Sequence, residues 1–307
     1  MFRFLSLVLL VSVSLSAQTT YNFLTVDNSP RAAALAGGFV AATEDANVIF
    51  YNPAGINTLK ANPISFSFLK HLEGINSLSF ATSHNFNKIG RLSAGIQYIN
   101  YGSFVAADKY GNKTGTFNAA EFALSVGYGN MIDKNFYYGA NVRFIYSGIE
   151  NYSSTGISAD LGLLYLIPNA KWSFGFSVLN IGKQISNYNG IDENLPMDVR
   201  VGATKELAHL PLKFYFSLNH LADSYDNIKD RFSSWTVGGE LKLSRSFWLR
   251  LGYDNAKRDN LSLGLSSGIA GFSAGFGLEI KDYLLDYSFS SFGPIGNLHR
   301  FGLSASF

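Results

Sequence analysis

From about residue 62 to the C-terminus, side chains alternate between apolar types and small or polar types. That period of two constrains the chain more than any other feature, because successive side chains on a strand point to opposite faces. In the stretch 136–148 one set is Phe136, Tyr138, Ala140, Val142, Phe144 and Tyr146. The other is Tyr137, Gly139, Asn141, Arg143, Ile145 and Ser147. One face is apolar with aromatic ends, and the other is small, polar and carries a fixed charge. Two architectures fit such a strand: a soluble antiparallel sheet with one wet face, or a transmembrane β-barrel.

The same alternation predicts strands at about 62–70, 75–84, 91–101, 116–129, 135–147, 156–167 and 171–181 in the first half. It predicts others at about 196–205, 211–221, 233–243, 246–254, 271–281, 283–291 and 298–307. Each of these roughly 14 segments approaches the roughly 9–11 residues a tilted strand needs to cross a bilayer. Charged residues are only 15% of the chain, against roughly 25% in a typical soluble domain. The connections separate the two architectures. Those at 102–115, 148–155, 182–195, 222–232, 255–270 and 292–297 read as long. Those at 130–134, 168–170, 206–210, 244–245 and near 282 read as short. Alternating long and short connections with an even strand number belong to outer-membrane barrels. The expected fold is therefore all-β: a transmembrane antiparallel barrel over 62–307. Within 255–270, "LSLGLSS" has strand-like alternation but is read as loop, since an odd count would leave the barrel ends on opposite sides.

On this parity Val142 faces lipid and Arg143 faces the lumen, where a charge escapes the roughly 2–4 kcal/mol midplane penalty. Asp160, Arg200, Lys213, Glu240, Lys242, Arg250, Glu279 and Asp286 share the inward parity. Their mixed signs point to an interior salt-bridge network. A selectivity filter, the alternative, usually favours one sign.

Residues 1–17 have one early positive charge, an apolar run through about Val13, then small residues ending at Ala17. This reads as a secretory signal peptide, the run being shorter than the roughly 20 residues that span a bilayer. Residues 18–61 read as a partly helical segment at the periplasmic end, folded into the barrel mouth as a plug or left as an ordered tail. Ser29 and Pro30 start a short helix over 31–36, Gly37–Gly38 stop it, and Asp45 caps a second over 46–51.

Here the chain resembles a known family. "SPRAAALAGGFVAATEDANVIFYNPAGI" (29–56), preceded by "YNFL" (21–24), is similar to the N-terminal signature of the PorV/PorQ family. The motif residues are Asn52, Pro53, Ala54 and Gly55. The C-terminal "LLDYSFSSFGPIGNLHRFGLSASF" (284–307) resembles the family's last hairpin. The resemblance implies a FadL-like barrel in the bacterial outer membrane, serving the type IX secretion system. Its partners would be outer-membrane lipid and secreted cargo, secretion components or surface-attachment partners, bound or shuttled through extracellular loops. The alternative it leaves is a FadL-like channel for hydrophobic small molecules, with such a molecule in the lumen. The Gly/Ser-rich inward set, with Leu69, Trp248 and Leu284 as exceptions, does not favour a greasy pocket.

Loop recognition would fall to Tyr110, Tyr188, Asp192, Tyr225, Lys229 and Arg258, since Tyr with mixed charge suits a protein surface. No enzyme is expected, and no cofactor or metal. The five histidines are scattered, there is no Cys, and no HExxH, GxSxG or phosphate-loop pattern occurs. No charge block suggests nucleic acid.

Overall fold

The computed structural model describes residues 19–223, 225, 227–261 and 268–307. The signal-peptide reading of 1–17 and most of the "LSLGLSS" stretch lie outside the described residues. The first seven strands are β1 Pro63–Lys70, β2 Asn76–Phe86, β3 Gly90–Ala107, β4 Lys113–Asp133, β5 Phe136–Ile149, β6 Tyr152–Ile167 and β7 Trp172–Ser186. The rest are β8 Asp198–Glu206, β9 Leu212–Leu218, β10 Trp235–Lys242, β11 Phe247–Asp254, β12 Phe272–Ile280, β13 Tyr283–Ser291 and β14 Asn297–Ser306. Among the described residues these fourteen strands form one closed antiparallel barrel in sequence order, and β1 pairs with β14 from Pro63↔Ser306 to Lys70↔His299. Closure removes every sheet edge within the bilayer, which a spanning sheet requires.

The alternation follows from the two environments. Phe66, Phe68, Val126, Val142, Phe144, Leu161, Phe174, Phe216, Leu251 and Phe301 are exposed on the outer surface. Serines at 65, 67, 77, 79, 125, 158, 177, 217 and 288 are buried on the inner one. Val142 is 57% exposed and its neighbour Arg143 only 2%. A wall greasy outside and polar inside fits an outer-membrane barrel and no soluble sandwich. Aromatic pairs sit near the strand ends, as girdles do. Phe136 meets Tyr165 edge-on at 6.1 Å, and Trp172 stacks on Phe174 at 5.5 Å.

The lower end is where the chain enters β1 and leaves β14; there Asn62 and Phe307 bond backbone to backbone at 3.1 Å. Lower connections are short throughout. Upper connections are long only from β7 onward, at 187–197, 219–234 and 255–271. Two stretches read as loops are strand instead. Most of 102–115 belongs to β3 and β4, which rise as a two-stranded ribbon to a tight turn at 108–112. Asp108 holds that turn, accepting from Tyr110 N at 2.8 Å and Asn112 N at 2.9 Å. Likewise 148–155 shrinks to the turn 150–151.

Candidate functional site

The N-terminal segment threads the lumen from top to bottom instead of staying at the lower mouth. It begins at the upper end, where Thr19 bridges Asn194 and Thr20 N donates to Asn194 O at 3.0 Å. Lower down, Ser77 Oγ of β2 donates to Asn28 Oδ1 at 2.8 Å. A helix over Pro30–Ala34 follows, with Ser29 Oγ accepting from Ala32 N at 3.3 Å. Helical turns at Ala46–Phe50 and Pro53–Thr58 come next, the first capped by Asp45. Near the bottom, Arg91 of β3 donates to Leu59 O at 2.7 Å and to Ala61 O at 2.8 Å. Leu35, Phe39, Val48, Ile49, Tyr51 and Ile56 make the segment's own apolar core. Phe39 packs edge-on against Tyr51 at 5.2 Å.

Asn52, Pro53, Ala54 and Gly55 are the tightest part of that fit. Asn52 Nδ2 donates to Val40 O at 2.7 Å and to Leu163 O of β6 at 3.0 Å, while its Oδ1 accepts from Ala54 N at 3.1 Å. The amide thus bridges two turns of the segment and the wall. The wall makes room by omitting side chains. A Cβ at Gly139 would lie 2.4 Å from the Pro53 carbonyl carbon, and one at Gly162 would lie 2.1 Å from Asn52 Oδ1. Gly55 is close-packed in its turn, and a Cβ there would lie 3.0 Å from Val48 Cβ.

The inward charges form separate groups. Arg143 pairs with Asp160 at 2.7 Å, both buried, and also donates to Ser125 and Asn180. Asp160 Oδ1 accepts from Asn180 N at 2.8 Å, at a bulge between β6 and β7 where Asn180 has φ 59°. Glu240 sits between two guanidiniums: Arg31 of the N-terminal segment at 2.9 Å and Arg250 at 2.7 Å. Arg250 reaches on to Asp286, and Arg31 to Asp45 and the Tyr215 hydroxyl. Arg200 pairs with Asp198 at 2.6 Å. Lys213 donates to Thr43 of the segment at 3.0 Å. Lys242 and Glu279 stand apart: both are exposed near the lower rim, Lys242 lying over the Trp248 ring at 5.0 Å. Among the described residues neither joins the buried ion pairs, because each lies past the end of the filled lumen. Arg31 and Asp45 lie outside the predicted strands, while Asp198 and Tyr215 share the inward parity of Arg200 and Lys213 but are not among the residues named for the network. Arg31 does carry a signal, as the only charge between Pro30 and Thr43.

At the upper end the inner wall turns apolar. Ile99, Ala123, Ile145 and Leu195 are buried there, and they are covered by Tyr21, Phe23 and Leu24. The Gly/Ser-rich inward set does not favour such a patch, which forms where Ile99, Ile145 and the N-terminal side chains meet. Hydroxyl groups surround it. Tyr21 OH meets Ser154 Oγ, to which Gln184 Nε2 donates at 3.0 Å. Tyr101 OH donates to Glu121, which also accepts from Ser147 Oγ at 2.9 Å. Below it lies a cavity of about 10 Å³ lined by Leu24, Asp27, Tyr51, Gln97 and Arg200, about enough for one water. A second, of about 130 Å³, opens at the lower rim beside Asn57, Leu59, Arg91 and Tyr137.

The loop residues are dispersed. Tyr110 tops the β3–β4 ribbon, 78% exposed, and Lys229 is exposed on the short helix Ile228–Arg231. Asp192 accepts from Asn187 Nδ2 at 2.9 Å, and Arg258 donates to Tyr253 OH at 3.2 Å. Tyr225 OH turns back to His220 O at 3.2 Å. Tyr188 points into the barrel, donating to Ser147 Oγ, so its hydroxyl does not face an outside partner. The six do not gather into one patch by any contact among themselves that the described residues show.

No protein-family model matches this chain, and no curated protein does. Solved barrels do. The toluene transporter TbuX of Ralstonia pickettii superposes with a TM-score of 0.62 at 11% identity, over 91% of this chain and 98% of that one. The monoaromatic hydrocarbon channel CymD gives 0.56 at 12% identity, over 92% and 98%. A FadL homologue from Pseudomonas aeruginosa gives 0.56 at 10% identity, over 91% and 98%. Across nearly its whole length, this chain has the fold of the FadL-type outer-membrane barrels.

Proposed function

We propose that this protein is a non-enzymatic outer-membrane channel for hydrophobic small molecules, closed by its own N-terminal end. The observation that carries the reading is the apolar patch of Ile99, Ala123, Ile145 and Leu195, roofed by Tyr21, Phe23 and Leu24. A covered apolar patch near the upper mouth suits a site that a hydrophobic solute enters by displacing those three side chains. Solved barrels of the same fold, the TbuX transporter and the CymD channel, carry such solutes. The test is uptake of toluene into liposomes holding the purified chain. Tyr21→Ala with Phe23→Ala should raise the rate, and Ile145→Lys should abolish it. Equal rates in protein-free liposomes would remove the reading.

A second reading is favoured by the filled lumen. Buried pairs such as Arg143–Asp160 and Arg31–Glu240 make the interior a solid scaffold. On that reading, extracellular loops bind secreted cargo or type IX secretion components, as the resemblance to the PorV/PorQ family implies. Crosslinking from Tyr110 and Lys229 in cells tests it. Recovery of secretion components, with no toluene uptake by the purified barrel, would put this reading first.

A further inference from the structure

Glu121, half-buried, differs from the buried lumen carboxylates. Asp160, Asp198, Glu240 and Asp286 each face a guanidinium. Glu121 has hydroxyl donors, Tyr101 and Ser147, and among the described residues no Arg, Lys or His lies within ion-pair distance of it. It also borders the apolar patch. Glu121 is the register partner of Ile99 on β3 and of Ser147 on β5, and Ala123, two residues on, is paired with Ile145. Tyr101, its hydrogen-bond partner, packs against the cluster that Tyr21, Phe23 and Leu24 cover. The neighbouring polar groups are Tyr21, Tyr188, Ser154, Gln184 and Glu193; Glu193 N donates to Gln184 Oε1 at 2.7 Å. They include a second carboxylate and no cation.

We infer that the pocket under Tyr21–Leu24 selects hydrophobic molecules bearing a cationic end, of the arylalkyl-amine type, with Glu121 as the counter-charge. This rests on the channel reading and names its substrate class. An ammonium group placed between Glu121 and the Tyr and Ser hydroxyls supplies the positive charge that the wall lacks. Its apolar body takes the place of Phe23 and Leu24 against Ile99 and Ile145. A carboxylate-headed solute meets like charge at the same point and is rejected.

The experiment compares three probes of similar size on the purified full-length barrel: phenethylamine, ethylbenzene and 3-phenylpropionate, by calorimetric titration at neutral pH. Phenethylamine should bind at least about tenfold more tightly than ethylbenzene, as one charge-assisted hydrogen bond allows. Phenylpropionate should bind weakest. Glu121→Gln should erase the amine preference, and Tyr101→Phe, which keeps the charge, should retain it. Ethylbenzene or phenylpropionate binding as tightly as the amine to the native chain would overturn the inference, whether or not the variants fold. So would an amine preference that survives Glu121→Gln. If ethylbenzene binds and the amine has no advantage, only the selectivity fails. If none of the three binds, the channel reading fails with it.

Discussion

Arg31 and Glu240 are joined by two hydrogen bonds, Nε to Oε2 at 2.9 Å and Nη2 to Oε1 at 3.0 Å. The pair ties the N-terminal segment to the barrel wall across 209 positions of sequence. Glu240 also accepts from Arg250 Nε at 2.7 Å, so it separates two guanidiniums. Glu240→Ala should therefore cost more than Arg31→Ala. The first leaves Arg31 and Arg250 facing each other without the carboxylate between them, each keeping only its outer carboxylate partner, Asp45 or Asp286, at about 3–5 kcal/mol. The second leaves Glu240 with Arg250, at about 1–3 kcal/mol. Thermal unfolding in detergent measures both, and the reverse order would mean that Arg250 does not share Glu240.

The segment's seat on the wall depends on two missing side chains. Gly162→Ala places a methyl 2.1 Å from Asn52 Oδ1, and Gly139→Ala places one 2.4 Å from Pro53. Both should loosen the segment while the barrel still closes. Gly239→Ala is the control, since its methyl meets only Leu212 Cδ1, at 3.7 Å. Limited proteolysis should cut within 19–61 in the first two variants and spare the third. Equal resistance in all three would show that the segment tolerates a shifted seat.

Adjacent residues on β5 should fail for opposite reasons. Val142→Arg puts a charge into lipid, at about 2–4 kcal/mol. Parity alone makes Arg143→Ala the milder change, unless an acid is stranded. The structure supplies that acid: Asp160, buried 2.7 Å away. Arg143→Ala should then cost about 3–5 kcal/mol, and Asp160→Asn on top of it should recover much of the loss. Urea titration of folding into lipid vesicles reads all three variants. No recovery in the double variant would mean that Arg143 acts through Ser125 and Asn180 instead.

The parts of this fold that lipid dictates are legible in the sequence. Val142 out and Arg143 in follow from the period of two, and strand ends such as 63–70 and 283–291 fall within a residue of the expected ones. Where lipid stops, the signal stops. The ribbon formed by the outer halves of β3 and β4 stands above β2 and β5, so neither of its faces needs a greasy pattern, and Gly102, Asp108 and Gly111 read as loop. The path of the N-terminal segment is hidden for another reason. It rests on contacts such as Asn52 to Leu163, 111 positions apart, which leave no local period. The upper pocket falls between these cases. Glu121 and Ile145 lie on the inward parity, but an apolar lumen residue looks like noise until Phe23 is seen covering it.

On the channel reading, the N-terminal end closes the barrel by lying across the upper pocket. Thr19 and Asn194 are bridge partners there, and the chain has no cysteine of its own. Thr19→Cys with Asn194→Cys therefore gives a single reversible latch, and toluene uptake into liposomes is measured before and after reduction. Closure by the N-terminal end predicts uptake no faster than in protein-free liposomes for the oxidised protein and recovery of the native rate on adding a thiol reductant. Equal uptake in the two states would contradict it.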